Sequence, residues 1–112
     1  MIKIAESAQR TRLLNDNFRS TFVGGRILTT ASISELAIDV KARLFLAVQS
    51  YAAFTEADDP HREHDFGAVE IDGEKYFWKI DYYDLSQHLG SEDPSDPAQT
   101  TRVLTIMRAD EY

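Results

Sequence analysis

The stretch Phe66–Tyr83, "FGAVEIDGEKYFWKIDYY", predicts a β-hairpin, and the hairpin decides the fold. Asp72-Gly73 separates two runs rich in β-branched and aromatic residues. A two-residue type I′ turn needs a positive φ at both central residues, and Asp-Gly is a favoured pair for it. A loop of two residues also fixes the register of the strands, which places Gly67 opposite Trp78.

The two faces of the predicted hairpin differ in character, because residues opposite each other point to the same side. One face is apolar and is the predicted core face: Gly67, Val69, Ile71, Tyr76, Trp78, Ile80 and Tyr82. The other face combines the pair Glu70–Lys75 with Phe66 and Phe77. These phenylalanines form either an exposed apolar patch, which is typical of an interface, or a surface covered by the N-terminal helix.

Patterns in the rest of the chain predict the remaining elements. Apolar residues at spacings of three and four predict a helix over residues 4–20, and a second over residues 32–54, where Ser32 and Glu35 have capping-box spacing. Strands are predicted at Arg26–Thr30 and Thr101–Met107, the latter an inner strand because it is apolar on both faces. We therefore predict a single α+β domain over residues 1–112, with about four antiparallel strands and two helices.

Charge is distributed unevenly along the 112 residues, whose net charge is −7. Residues 1–55 carry a net charge of +3, and residues 56–112 carry −10. An acidic surface repels phosphate, so we expect no direct binding of nucleic acid. We interpret Arg10, Arg12 and Arg19 as a solvated face of the first helix. The chain has no cysteine and no apolar run long enough for a signal peptide or a membrane span, so a cytoplasmic protein without membrane partners is expected.

A polar cluster at the open end of the hairpin is the candidate catalytic site. The predicted register makes His64 a neighbour of Asp81, with Lys79 and Tyr83 on the same face, and a carboxylate beside an imidazole suits acid–base chemistry. No nucleophile accompanies them by motif, so a structural pair is favoured over a small enzyme. We predict no metal and no cofactor, because the histidines and acids at 61–65 lack the spacing of known metal sites.

Acidic residues also concentrate in the predicted loop 85–100, which is long for a connection inside a compact domain. Glu92, Asp93 and Asp96 could present negative charge to a basic partner. Together with Phe66 and Phe77 they are the predicted partner-binding residues.

Several motifs resemble an uncharacterised bacterial family, a domain of unknown function that is often encoded on mobile elements. They are the segments Asp59–His61, His64–Gly67 (HDFG), Phe77–Asp84 (FWKIDYYD), Gly90–Pro94 and Val103–Met107 (VLTIM). The resemblance implies a bacterial, cytosolic context but no known activity. We therefore expect a small acidic protein-binding module that inhibits a nucleic-acid-handling or defence protein by presenting carboxylates in place of phosphates; the alternative is a small enzyme built on His64 and Asp81.

Overall fold

A computed structural model describes residues 5–112. Within that range the chain forms three α-helices, four strands and a terminal 3₁₀ helix. In chain order these are α1 (Glu6–Thr21), β1 (Arg26–Thr29), α2 (Ala31–Ser34), α3 (Ile38–Gln49), β2 (Phe66–Ile71), β3 (Glu74–Tyr83), β4 (Thr101–Arg108) and the 3₁₀ helix Ala109–Glu111. The predicted α+β class and the number of strands are confirmed, while Ile4, with which the first predicted helix begins, lies outside the described residues.

The strands form one sheet in the order β1-β4-β3-β2. β3 runs antiparallel to both of its neighbours, but β1 is parallel to β4, so the sheet is mixed and the prediction of a purely antiparallel sheet was wrong. The physical reason is the crossover through α2 and α3, which returns the chain to the opposite edge of the sheet before the hairpin begins. Such a connection permits parallel pairing, and hydrophobic alternation does not encode strand direction. The inner position predicted for β4 is confirmed.

The second predicted helix is divided into α2 and α3. Ala37, at φ −55° and ψ 147°, is extended and starts α3 anew. The predicted capping box does not form, because the Ser32 hydroxyl donates instead to the Glu111 carboxylate at 2.7 Å. The Ser32 side chain, which local spacing assigned to a helix N-terminus, thus makes a tertiary contact instead.

The predicted hairpin is confirmed in turn type and register. Asp72 and Gly73 have φ values of 52° and 81°, as a type I′ turn requires. The pairing runs from Ile71 opposite Glu74 to Phe66 opposite Lys79, and Gly67 lies opposite Trp78. The glycine gives the indole room that a larger residue would occupy.

The core lies on one face of the sheet, beneath all three helices. Trp78 is fully buried there between Tyr76 and Ile80 of the same strand. The helices and β4 contribute the other buried members of this cluster: Phe18, Ile33, Leu44, Val48, Leu104 and Ile106. Two-residue alternation along β3 therefore directs Phe77, Lys79 and Asp81 to the opposite face, called the open face below.

The polarity of α1 differs from the prediction. Asn15 and Arg19 are buried on this helix together with Thr11 and Phe18. Arg19, interpreted from the sequence as part of a solvated face, is only 5% exposed, so that interpretation was wrong. Its guanidinium lies 5.3 Å from the ring centroids of Phe54 and Trp78, and aromatic faces of this kind stabilise a cation that has left water.

Candidate functional site

An aromatic cluster occupies the open face. The rings of Phe66 and Phe77 lie 5.1 Å apart, and Tyr112 packs against both, at 5.7 and 5.5 Å between centroids. The phenylalanines are half-buried, and Tyr112 is 75% exposed. The alternative in which the N-terminal helix covers them is wrong, because α1 packs on the core face through Phe18.

Three of the four candidate catalytic residues share the open face. Lys79 and Asp81 form an ion pair of 3.0 Å, and this hydrogen bond raises the pKa of Lys79 above its ordinary value. Tyr83 follows at the next position of the same side of β3. The predicted pairing of His64 with Asp81 was wrong, because β2 begins only at Phe66 and the backbone at His64 turns away with a φ of 55°.

His64 is instead held against α1. Its Nδ1 is hydrogen-bonded to Asp16 Oδ1 at 2.8 Å, and its Nε2 lies 3.6 Å from Asp59 Oδ2. Phe54 stacks in parallel on the imidazole at 3.7 Å. The protein thus occupies Nδ1 and one face of the ring, and a second carboxylate lies near Nε2. The buried carboxylate of Asp59 also accepts the backbone N–H groups of Glu63 and His64, so the arrangement fixes the segment between α3 and β2.

A cavity of about 200 Å³ lies beside His64. Arg12 and Arg62 bring positive charge to its wall, but Arg62 is already paired with Glu56 at 2.8 Å. With Nδ1 of His64 hydrogen-bonded to Asp16 and with Asp59 near its Nε2, the charged groups of this cavity largely balance one another. This arrangement holds the surrounding chain in place.

A second polar network lies behind His64 and was missed by the sequence analysis. The buried amide of Asn15 donates to the Glu63 carbonyl at 2.9 Å and to the Tyr82 hydroxyl at 2.7 Å. Arg102 Nε donates to Asn15 Oδ1 at 2.8 Å, and Arg102 also donates to the Pro94 carbonyl. Burial raises the pKa of Tyr82 and lowers that of Arg102. The hydrogen bonds of these groups join α1, the sheet and the long loop.

The sequence offers only a weak signal for this network. Thr11, Asn15, Phe18 and Phe22 have the spacing of a helical stripe, but the apolar stripe through Leu14 competes with it. A polar residue on the buried stripe becomes recognisable only when its partners from distant segments are known.

The acidic loop 85–100 is ordered by its own side chains. Asp93 accepts hydrogen bonds from the backbone N–H and the hydroxyl of Ser95, at 3.1 and 2.6 Å. Asp96 accepts hydrogen bonds from Gln99 Nε2 at 2.7 Å and from Ala98 N at 2.9 Å, and these hydrogen bonds hold its pKa below the ordinary value. Asp93 and Asp96 therefore stabilise the loop through these hydrogen bonds, whereas Glu92 is exposed. Partner binding by the three acids stays a prediction.

Within residues 5–112, no group of three or more histidine, aspartate or glutamate side chains is arranged to hold a metal ion. None of the helices in the same range is both long and apolar enough to cross a membrane.

Comparison with known proteins gives a family but no activity. No curated protein and no solved structure matches the chain. The family described as "Protein of unknown function (DUF3768)" matches residues 29–111, which include α2, α3, the hairpin and β4 but only the last residue of β1. The match thus covers three of the four strands and most of the chain, in agreement with the resemblance seen in the motifs. The chain belongs to the DUF3768 family.

Proposed function

We propose that the protein is a non-enzymatic binding module that engages a basic protein partner through the open face of its sheet. The observation that carries the proposal is the aromatic cluster of Phe66, Phe77 and Tyr112 on the face opposite the helices of residues 5–112. Aromatic side chains combined with a charged rim are typical of protein interfaces.

The charge distribution supports a basic partner. Residues 56–112, with a net charge of −10, supply β2, β3 and β4 and therefore most of the open face. Complementary charge accelerates association and selects against partners of the wrong sign. Proteins that handle nucleic acid carry basic surfaces for phosphate, so an inhibitor of such a protein, including one in a defence system, fits this surface.

The alternative of a small enzyme has less support. It relied on His64 and Asp81 acting together, but His64 is engaged by Asp16 and Asp59, and Asp81 by Lys79. In general acid–base catalysis, the acid and the base must each lie within hydrogen-bond reach of the substrate atoms whose protons they transfer. The separation of these pairs favours binding over catalysis.

Affinity capture from a bacterial lysate with matched baits tests the proposal. The baits are the wild type, Phe77→Ser on the open face, and Leu46→Ser as a control, because Leu46 is 64% exposed on α3, away from the open face. We expect a basic protein that wild type and control retain and that Phe77→Ser loses by at least tenfold, as for the loss of an interface anchor of about 2 kcal/mol. Circular dichroism melting checks that each bait is folded.

Once the partner is purified, the electrostatic contribution to its binding can be measured. Its dissociation constant should increase as salt rises, since exposed charges are screened within about 8–10 Å at physiological ionic strength. Glu92→Gln tests the acidic loop without removing a loop hydrogen bond, whereas neutralising Asp93 or Asp96 would also disturb the loop. A partner that binds Phe77→Ser as well as the wild type and ignores salt would contradict the proposal.

A further inference from the structure

The outer edge of β2 presents free backbone hydrogen-bonding groups. β2 is the last strand in the order of the sheet and pairs with β3. Alternate residues of an antiparallel strand direct both backbone groups towards the neighbour, and the 2.8 Å bond from Ile80 N–H to the Asp65 carbonyl fixes this alternation. The N–H and C=O groups of Phe66, Ala68 and Glu70 therefore point away from β3. They form no hydrogen bond with any other group in residues 5–112.

The edge of β2 lacks several features by which soluble proteins prevent a strand from pairing further. Such features include proline or lysine on the edge, a β-bulge, and a very short strand. β2 has six residues, none of them proline or lysine, and its register with β3 is unbroken. The opposite edge of the sheet, β1, has only four residues. β2 is therefore the edge at which another strand can be added.

A cavity of about 230 Å³ lies at this edge. Phe66, Gly67 and Ala68 of β2 line it, together with Tyr51 from the segment that follows α3. That segment thus leaves space beside the strand. The cavity also reaches Phe77, which lies opposite Ala68 in the register, so it connects the edge with the aromatic cluster. A strand added here would extend the same surface that the proposed function assigns to the partner.

The side chain of Glu70 indicates the charge of the added strand. Glu70 is exposed, and the residue opposite it, Lys75, lies with its ammonium group 5.7 Å from the ring centroid of Phe77. Within the described residues, the Glu70 carboxylate forms no ion pair. Opposite charges on directly opposed residues stabilise a pair of strands. A basic residue facing Glu70 would therefore favour the addition.

A second copy of the chain is the other occupant that backbone geometry permits. Antiparallel pairing of two β2 strands about Ala68 would use the free groups of both copies. Each copy, however, carries a net charge of −7, and β2 belongs to the half with a net charge of −10. Like charges brought together at an interface oppose association. Charge thus favours a strand of a basic protein over a second copy.

We infer that β2 receives an extended segment of the basic partner as a further antiparallel strand. The inference rests on the proposed function, which supplies the basic partner and the open face. Antiparallel pairing is the more stable arrangement per residue. Residues directly opposite each other share a face, so the segment carries a basic residue opposite Glu70. Apolar residues follow two and four positions later, opposite Ala68 and Phe66.

The test uses the ¹⁵N-labelled protein and the peptide acetyl-Arg-Thr-Val-Thr-Phe-amide, which has this pattern. Saturable amide shifts centred on Phe66–Glu70 are expected. The N–H of Ala68 gains a hydrogen bond from the peptide, so its hydrogen exchange should slow about tenfold at a peptide concentration ten times the dissociation constant.

Two isomeric peptides isolate the backbone hydrogen bond. In the predicted register the valine N–H donates to the Ala68 carbonyl, whereas the N–H of the following threonine points away from β2. N-methylation of the valine should therefore weaken binding at least tenfold, and N-methylation of that threonine by less than about twofold. Because the two peptides have the same composition, a difference between them reports the direction of the backbone groups.

Protein variants test the same edge. Ala68→Pro removes an N–H that points away from β3, so the ladder is kept and binding should fall at least tenfold. Glu70→Gln should weaken binding about two- to fivefold, as for one cross-strand charge pair. Leu46→Ser on α3 is the control and should bind as the wild type does. Circular dichroism melting checks folding, and the isomeric peptides test the hydrogen bond in the wild type should Ala68→Pro unfold.

Three results would overturn the inference: equal binding of the isomeric peptides, unchanged exchange of the Ala68 N–H at saturation, or wild-type affinity in a folded Ala68→Pro variant. Sedimentation of the protein alone tests the other occupant. A dimer that Ala68→Pro dissociates would assign the edge to a second copy and would likewise overturn the inference, whereas a monomer supports it.

Failure of the inference is distinguishable from failure of the proposed function. A captured basic partner that Phe77→Ser loses and Ala68→Pro retains would overturn strand addition alone. Peptide binding that slows exchange of the Ala68 N–H, in a protein whose captured partner ignores both Phe77→Ser and salt, would support the edge and contradict the placement of that partner on the open face.

Discussion

Replacing Gly67 by alanine should destabilise the protein, because Trp78 occupies the space that a Cβ atom would need. A Cβ built on Gly67 would lie 2.7 Å from Cε2 and 2.8 Å from Cζ2 of the indole, and closer still to Nε1. The ring cannot easily move away. It is fully buried, and Tyr51, Phe54 and the guanidinium of Arg19 pack against it.

The magnitude follows from two opposing effects. Overpacking a core costs about 1–3 kcal/mol, while a glycine-to-alanine change in a compatible conformation stabilises by about 0.4–1 kcal/mol through the unfolded state. We therefore expect a net loss of about 1–2 kcal/mol in the free energy of unfolding, measured by urea denaturation. Gly90→Ala is the matched control, because a Cβ there would meet its nearest atom, the Tyr82 carbonyl oxygen, at 3.9 Å. That variant should be neutral or slightly more stable.

A double-mutant cycle isolates the contact between Gly67 and Trp78. The three atoms nearest to the added Cβ all belong to the part of the indole that carries Nε1. In a Trp78→Phe background the cost of Gly67→Ala should therefore shrink, giving a coupling energy of about 0.5–3 kcal/mol, as for other residues in contact. Gly67→Ala that is as stable as the wild type, or a cycle with no coupling, would refute the packing argument.

Two further predictions concern charged groups whose surroundings only the fold reveals. Arg19→Met should cost about 1–3 kcal/mol in urea denaturation, because it removes a buried guanidinium that donates to the Tyr51 carbonyl and pairs with the partly exposed Asp16. Arg10→Met on the exposed side of the same helix should stay within about 0.5 kcal/mol, and equal effects would contradict the burial of Arg19. Because the pKa of Asp65 is raised in the folded protein, its contribution to stability is present at acid pH and is lost as pH rises through that pKa. Asp65→Asn should therefore raise the melting temperature more at neutral pH than near pH 3. A larger rise near pH 3 than at neutral pH would contradict the burial of an uncompensated carboxylate.

The hairpin could be predicted from the sequence because its signals are local. The Asp-Gly turn fixes the register, and two-residue alternation then separates the core face of Trp78 from the face of Phe77. The inner position of β4 was likewise predictable, since a strand apolar on both faces must be covered by neighbours. These predictions depend only on the order and spacing of residues that are close together in the sequence.

Part of the candidate site followed from the same alternation. Phe66, Phe77, Lys79, Asp81 and Tyr83 were assigned to one face, and the structure places them there. The pairing of His64 with Asp81 failed because it extended the strand beyond its true beginning at Phe66. A single backbone turn with positive φ at His64 was enough to give the imidazole different neighbours.

The sequence by itself determined the hairpin, its register, and the division of its side chains between two faces, because each depends on chain geometry over a few residues. Only the tertiary structure decided the parallel pairing of β1 with β4, the burial of Asn15 and Arg19, and the position of Tyr112 on the open face. These features join groups far apart in the chain. A polar side chain is buried only when distant partners satisfy it, and its own neighbours in sequence do not specify those partners.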